Sequence, residues 1–383
     1  VKLCPPIFEP HLLNLERARA IRESCDVLVN ISGAIMDVQE AERVLREGAA
    51  DLVLLGRSLV ADPFWPKKVL EGREDDIVPC IRCNNCYHIA TEHFNTCCTV
   101  NPRVYRENRV PLTLPRAQTA RSVVVVGGGP AGLKAALTAA QRGHQVTLVE
   151  QSGALGGLMI PASVGAFKED LRRYLSYLRR QVEKSQIHVM LHTCADRALL
   201  EHLHPDAVIL AVGGRAVMPP VPGLGTSGAV QAVALLNAGL ESAGTRVTIL
   251  GGGSIGCELA LELAALDRMV TVVELRDKLA ANGNELYRQD LMLHLEQETR
   301  ITILTQTVCT GVTAQGCTVR EKDGGTRVIP HDTFVIAAGL RADADAVEAL
   351  YGVVPETYYV GDCKRAASIT EATTEAYFLG ASL

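Results

Sequence analysis

The strongest constraint on this chain is a glycine-and-acid pattern that occurs twice at one fixed offset. The segment "SVVVVGGGPAGLKAALTAAQRGHQVTLVE" (122–150) reads as an apolar strand, a glycine turn, a helix and a second strand ending in Glu150. The segment "VTILGGGSIGCELALELAALDRMVTVVE" (247–274) repeats it 124 residues on. Gly127, Gly129, Gly132 and Glu150 map onto Gly251, Gly253, Gly256 and Glu274, and 12 of 28 positions aligned without gaps are identical. In each copy the first glycine permits a tight turn, the second lets backbone approach a pyrophosphate, and the third lets helix and strand pack closely. The pyrophosphate then sits on the helix N-terminus, where free N–H groups favour an anion. The acidic residue would bind ribose hydroxyls, and its charge repels a 2′-phosphate. One such motif is often only a turn; two complete copies in register point to two dinucleotide sites.

Other segments fit an α/β fold with two nested Rossmann-like domains. "DAVILAVGG" (206–214) and "DTFVIAAGL" (332–340) are apolar strands ending in small residues, as backbone must be where it crowds a cofactor. "TYYVGDCKRAASITEAT" (357–373) ends a strand at Gly361-Asp362 and starts a helix, so Asp362 is either a polyol ligand or a plain cap. "TVREKDGGTRVIP" (318–330) reads as a hairpin around Asp323-Gly324-Gly325.

The front of the chain has another character. Residues 11–24 and 37–48 have helical periodicity, while "DVLVNIS" (26–32) and "ADLVLLG" (50–56) read as buried strands. Two parallel strands cannot cover their own edges, and the chain begins at Val1, so residues 1–75 are expected to be the tail of a larger repeating βα domain. Gly33, after one strand, and Gly56-Arg57, after the next, stand where βα barrels bind a phosphate. A proline- and arginine-rich linker covers 102–121. A net charge of -5 argues against nucleic acid as a partner, and the basic run Arg172, Arg173, Arg179, Arg180, Lys184 reads as the solvated face of a helix whose apolar stripe is Leu171, Tyr174, Leu175 and Leu178. No stretch suggests a membrane span or a leader, so the expected compartment is the cytoplasm, with its reduced thiols.

Five of the 12 cysteines and two histidines fall within 80–100, "CIRCNNCYHIATEHFNTCCTV". Cys80, Cys83 and Cys86 have the spacing of the first three ligands in ferredoxin-type runs, whereas zinc sites more often use two separated pairs. Cys97, Cys98, His88 and His93 are candidates for the fourth position, and adjacent Cys97 and Cys98 would point to opposite sides of an extended chain.

Together these motifs resemble a known family. The paired fingerprints and terminal Gly-Asp look like two-dinucleotide-domain flavoproteins of the glutathione-reductase type. The front, "SGAIMDVQEAERVLREGAADLVLLGRSLVADPFWPKKVLEGREDDIVPCIRCNNC", resembles the last two units of an old yellow enzyme-type TIM barrel followed by an iron–sulfur segment. That order is the one of 2,4-dienoyl-CoA reductase, enoate reductase and trimethylamine dehydrogenase. The resemblance implies that the first six barrel units are missing from the front. It implies FMN phosphate at Gly33, Gly56 and Arg57, and FAD at Gly127, Gly129, Gly132, Glu150, Asp362 and the "GALGG" ending in Gly157. NADH would bind at Gly251, Gly253, Gly256 and Glu274, although Arg276 lies two residues on. Cys98 opens the "CTVNP" before which the family places its last ligand, which implies a [4Fe–4S] cluster on Cys80, Cys83, Cys86 and Cys98, with His88 and His93 on a surface loop.

The expected domains are 1–75 (barrel tail), 76–120 (cluster segment and linker), 121–240 plus 331–383 (FAD) and 241–330 (NADH). The implied activity is reduction of an activated C=C bond in a small enoate or enoyl-CoA-type substrate, electrons running from NADH through FAD and the cluster to FMN. A cluster suits that place because a nicotinamide delivers two electrons together, while a distant flavin must receive them singly. The alternatives are amine dehydrogenation, or an electron-transfer module with diaphorase activity at most. Nothing in the pattern excludes a homo-oligomer.

Overall fold

In the computed structural model, residues 4–92 and 95–383 are described; His93 lies outside them. The chain packs as two units, Val1–Met159 with Glu169–Gly213 and Ala342–Leu383, and Ile160–Lys168 with Gly214–Arg341. The motifs set the edges of the FAD domain at 240 and 331. Packing instead places 214–240 and 331–341 in the second unit, because the strand Thr333–Ile336 pairs there with both Arg246–Leu250 and Val230–Gln231.

Each unit contains a five-stranded parallel sheet. In the first, the order is Thr357–Tyr359, Ala207–Leu210, Ser122–Val126, Gln145–Val149, His188–Met190. In the second, it is Val230–Gln231, Thr333–Ile336, Arg246–Leu250, Met269–Val273, Ile301–Leu304. The fingerprint strand is central in both. Valines and isoleucines suit strands covered on both faces, and Val123, Val124, Val125 and Ile249 are at most 1% exposed. In the first unit the helix Pro130–Gln141 packs closely on the last helix, Ile369–Ser382, where a Cβ on Gly380 would lie 3.0 Å from Ala135 O. The expected hairpin is present in the second unit: Gly316–Arg320 pairs antiparallel with Thr326–Pro330.

The front segment forms the helices Leu15–Ser24 and Val38–Arg46 where periodicity put them. Its strands are shorter than expected: Asn30–Ile31 pairs only with Leu52–Val53, in parallel. Val27, Leu28, Leu52 and Leu54, expected inside a buried sheet, are more than half exposed. Ile31, Val44 and Trp65 still share a core. Among the described residues, no helix is long and apolar enough to cross a membrane.

The helix Glu169–Lys184 corrects one expectation. Its apolar stripe of Leu171, Tyr174, Leu175 and Leu178 is buried as read. Its basic residues are not a merely solvated face: Arg173 pairs with Asp37 at 3.0 Å, Arg180 with Asp75 at 2.5 Å and Lys184 with Asp76 at 2.9 Å. The acids belong to distant sequence, so spacing on the helix alone could not reveal them.

A buried charge network completes this unit. Arg82 Nε meets Asp170 Oδ2 at 2.5 Å, and its Nη1 donates to Pro6 O at 3.0 Å and Glu9 O at 2.7 Å. His11 Nε2 lies 3.1 Å from Asp170 Oδ1, and His11 Nδ1 pairs with Glu40. Burial opposes charge on His11, but the Asp170 and Glu40 carboxylates outweigh it and raise its pKa from 6.5 to about 9. Because the folded pKa is the higher one, this stabilisation is complete below about pH 6.5 and is lost as pH rises through about 9. With allowance for solvent screening it amounts to roughly 2 kcal/mol. Urea unfolding at pH 6 and pH 9.5 should show wild-type stability falling by that order. His11→Gln should flatten the fall, and an equal slope in both proteins would exclude His11 as its source.

Candidate functional site

The two fingerprints fold into the same local geometry. Gly127 and Gly251 have φ of +105° and +114°, a region that suits glycine. A Cβ on Gly132 would lie 1.8 Å from Gly127 O, and one on Gly256 would lie 2.0 Å from Gly251 O, so these glycines are required for helix-to-strand contact. The middle glycines differ: around Gly253 a Cβ would meet no heavy atom within 4 Å, and around Gly129 only Gly157 Cα at 4.0 Å. Both cap 12-residue helices with extended backbone and no side-chain cap, leaving N-terminal amides free to face an anion.

Each glutamate is pinned by backbone. Glu150 Oε2 accepts from Gly128 N at 2.6 Å and Oε1 from Ser152 N at 2.7 Å; Glu274 Oε2 accepts from Gly252 N at 2.6 Å and Oε1 from Arg276 N at 2.8 Å. Each carboxylate oxygen has a further lone pair able to accept a hydrogen bond. Arg276 thus holds Glu274 through its amide. The likeness extends further: Gly156 N donates to Gly128 O at 2.7 Å, and Ala280 N to Gly252 O at 2.8 Å. Gly157, with φ of +51°, lies against Gly129 and lines the first site. Gly361 packs on Ala131 of the fingerprint helix, which brings Asp362 beside that site. Burial raises the Asp362 pKa, and its Oδ1 accepts from Ala367 N at 3.1 Å.

The cysteine segment folds around one cavity in the first unit. Cys80, Cys83, Cys86 and Cys98 line it, with Arg57, Asn84 and Thr99 supplying its polar edge and Val60, Ile81 and Val100 its apolar wall. Arg82 and Asn84 have φ of +48° and +59°, and these left-handed positions turn the loop so that three spaced cysteines face inward. The fourth is delivered from the other side: Thr373 Oγ1 donates to Thr99 O at 2.6 Å, so the last helix carries the segment that bears Cys98. Cys97 does not line the cavity. His88, expected on a loop, lies on the short helix Asn85–Thr91 and does not line it either.

The donor set is all sulfur, and its spacing bears on what it can hold. A tetrahedral zinc would need its sulfurs ~3.8 Å apart, from Zn–S bonds of about 2.3 Å. Among the described residues no three thiols come within 4.8 Å of one another. With no three of them close enough to share one tetrahedral ion, the four cavity-lining thiols fit a larger, sulfide-containing cluster. Burial pushes the Cys80 thiol up to about 12 and Cys86 to about 11, with the Arg57 charge opposing in both cases, and lifts Cys98 as well. Iron would therefore displace protons from thiols rather than meet free thiolates.

Of the expected phosphate residues, Gly33 has φ of +122° and is closed over by Asn14, whose Nδ2 would lie 2.7 Å from a Cβ there. Gly56 is open on all sides. Arg57 Nη1 donates to Asn84 Oδ1. Sequence reasoning missed Arg82, Asn84 and Lys134. Lys134 projects from the fingerprint helix with its Nζ 5.5 Å from the Tyr377 ring centroid, and burial lowers its pKa to about 8. A lysine inside the apolar run "AGLKAALTAA" was the available signal.

Known proteins resemble this chain over most of its length. The family model described as pyridine nucleotide-disulphide oxidoreductase matches residues 121–376. The chain is 33% identical to a bilirubin reductase of Mediterraneibacter gnavus over 372 residues, 96% of this chain and 57% of that protein. It is 36% identical to an NADH oxidase of Thermoanaerobacter brockii, over 88% of this chain and 52% of that one. It superposes on 2-naphthoyl-CoA reductase in complex with 2-naphthoyl-CoA with a TM-score of 0.95 at 26% identity, covering 100% of this chain and 58% of the other. The chain thus spans little more than half the length of the relatives it matches.

The glycine geometry separates binding from folding. Gly253→Ala should remain folded and keep flavin, while its NADH affinity in fluorescence titration falls at least tenfold. Gly256→Ala should fail to yield folded protein, because its Cβ meets a backbone oxygen. Unchanged NADH binding by Gly253→Ala would remove the second fingerprint from the site.

Proposed function

Since the chain belongs to the pyridine nucleotide-disulphide oxidoreductase family, we propose that it is the electron-input portion of an NADH-dependent flavin and iron–sulfur reductase acting on an activated C=C bond. One observation carries this reading: four inward-facing thiols line one cavity in the unit that also holds the first dinucleotide fingerprint. The reductases and the NADH oxidase among its relatives support it.

The residues divide the work as follows. Gly127, Gly129, Gly132 and Gly157 admit the FAD pyrophosphate to the amides of the helix that starts at Pro130, and Glu150 binds the adenosine ribose. Asp362 faces the flavin polyol. Gly251, Gly253 and Gly256 do the same for NADH, where Glu274, fixed by two amides, accepts the ribose hydroxyls and repels a 2′-phosphate. Cys80, Cys83, Cys86 and Cys98 hold a [4Fe–4S] cluster. When bound, a flavin would supply a hydride acceptor beside the nicotinamide and a cluster would supply a one-electron carrier, which would match a two-electron donor to a distant acceptor. Gly33, Gly56 and Arg57 serve the phosphate of FMN, as the C-terminal strand ends of a βα barrel do. The substrate is an enoate or enoyl-CoA-type thioester, and no residue of this chain is assigned as its proton donor.

Chain purified without oxygen and reconstituted with iron and sulfide should hold about four of each per chain. With FAD bound, it should lose its flavin absorbance on adding NADH and much less on adding NADPH. Zinc without sulfide would overturn the cluster, and flavin that stays oxidised under NADH would overturn the hydride input.

A further inference from the structure

The phosphate role expected for Arg57 leaves its surroundings unexplained. Arg57 begins the short helix Arg57–Ala61, and its side chain forms part of the wall of the four-cysteine cavity. Its Nη1 donates to Asn84 Oδ1, and Asn84 is in turn anchored through Nδ2 on Cys4 O at 2.9 Å. Asn84 lies in the cysteine loop itself, between Cys83 and Cys86. The guanidinium is therefore held on the cavity by a neutral amide, which leaves its charge uncancelled by that contact. That charge shares the cavity wall with the Cys80 and Cys86 thiols.

A cluster on four thiolates is negative overall, and taking up one electron makes it more negative by one charge. A fixed cation at the cavity wall favours the reduced form, and it does so strongly where water is largely excluded. Arginine stays protonated throughout, so the bias does not depend on pH. We propose that Arg57, clamped by Asn84, is an electrostatic partner of the iron–sulfur cluster and raises the potential at which the cluster accepts an electron. This rests on the iron–sulfur reading of the four cysteines. The step is a single electron transfer: a reduced flavin loses one electron, the cluster gains it, and no bond at the thiolates is made or broken. Arg57 is a positioning residue in this role, acting on the cluster through its field.

The test is an anaerobic redox titration of the full chain, with cluster reduction followed by electron paramagnetic resonance and with iron, sulfide, FAD and FMN measured on the same samples. At the wild-type midpoint, the ratio of reduced to oxidised cluster in Arg57→Gln should fall about tenfold, which for one electron is ~59 mV. Arg57→Lys should recover most of that loss. Asn84→Gly keeps the left-handed backbone but frees the guanidinium, and should shift the midpoint in the same direction by less. An unchanged midpoint in cluster-loaded Arg57→Gln overturns the proposal, and if FMN content alone drops, Arg57 belongs to the phosphate only. Should Arg57→Gln not load a cluster, an unchanged midpoint in Asn84→Gly overturns it instead. Wild-type chain without sulfide would bring down the iron–sulfur reading itself, a failure the metal analysis shows separately.

Discussion

Arg82 is 4% exposed and sits between Cys80 and Cys83. A charge buried to that degree costs several kcal/mol unless every donor is met. The compensation comes from three acceptors distant in sequence: the Asp170 carboxylate and the carbonyls of Pro6 and Glu9. Asp170 is shared with His11, which also reaches Glu40 on the helix Val38–Arg46. One guanidinium thus ties the front segment, the cysteine loop and the helix Glu169–Lys184 into a single unit. Removing any partner would leave a buried ion uncompensated, so the loop that points Cys80, Cys83 and Cys86 inward depends on this network.

The same unit holds both the first fingerprint turn and the four-cysteine cavity. The last helix packs on the fingerprint helix and, through Thr373, also holds the backbone beside Cys98. A single helix therefore supports both the dinucleotide turn and the fourth thiol. For the relay proposed above this matters, because positions set by packed helices vary less than positions set by loops. The second unit repeats the dinucleotide turn with its own glutamate, amides and glycines, down to the carbonyl of the second fingerprint residue accepting from an amide 28 positions on (Gly156 to Gly128, Ala280 to Gly252).

The fingerprints were legible because their constraints are local. A glycine whose Cβ would strike the carbonyl five residues earlier, and an acid at the end of the next strand, can be read from spacing alone. The short front strands, with Leu28 80% exposed, departed from a pattern that assumed burial. Burial depends on which elements lie alongside, and periodicity does not record that. The basic helix face was misread for a similar reason, since Asp37, Asp75 and Asp76 reach it from more than 90 residues away in sequence.

What the sequence by itself determined is the pair of dinucleotide turns, the helices and sheets that carry them, and the three evenly spaced cysteines. The turns, their flanking strands and helices, and the cysteine spacing depend on contacts within about 30 residues, where chain connectivity leaves few arrangements open, whereas the outer strands of each sheet join from far along the chain. Tertiary structure decided which thiol completes the cavity, because Cys97 and Cys98 differ only in the direction they face. It also decided where Arg57 points, since a long flexible side chain takes its direction from its partner, here Asn84. Both outcomes depend on surfaces that meet only after folding.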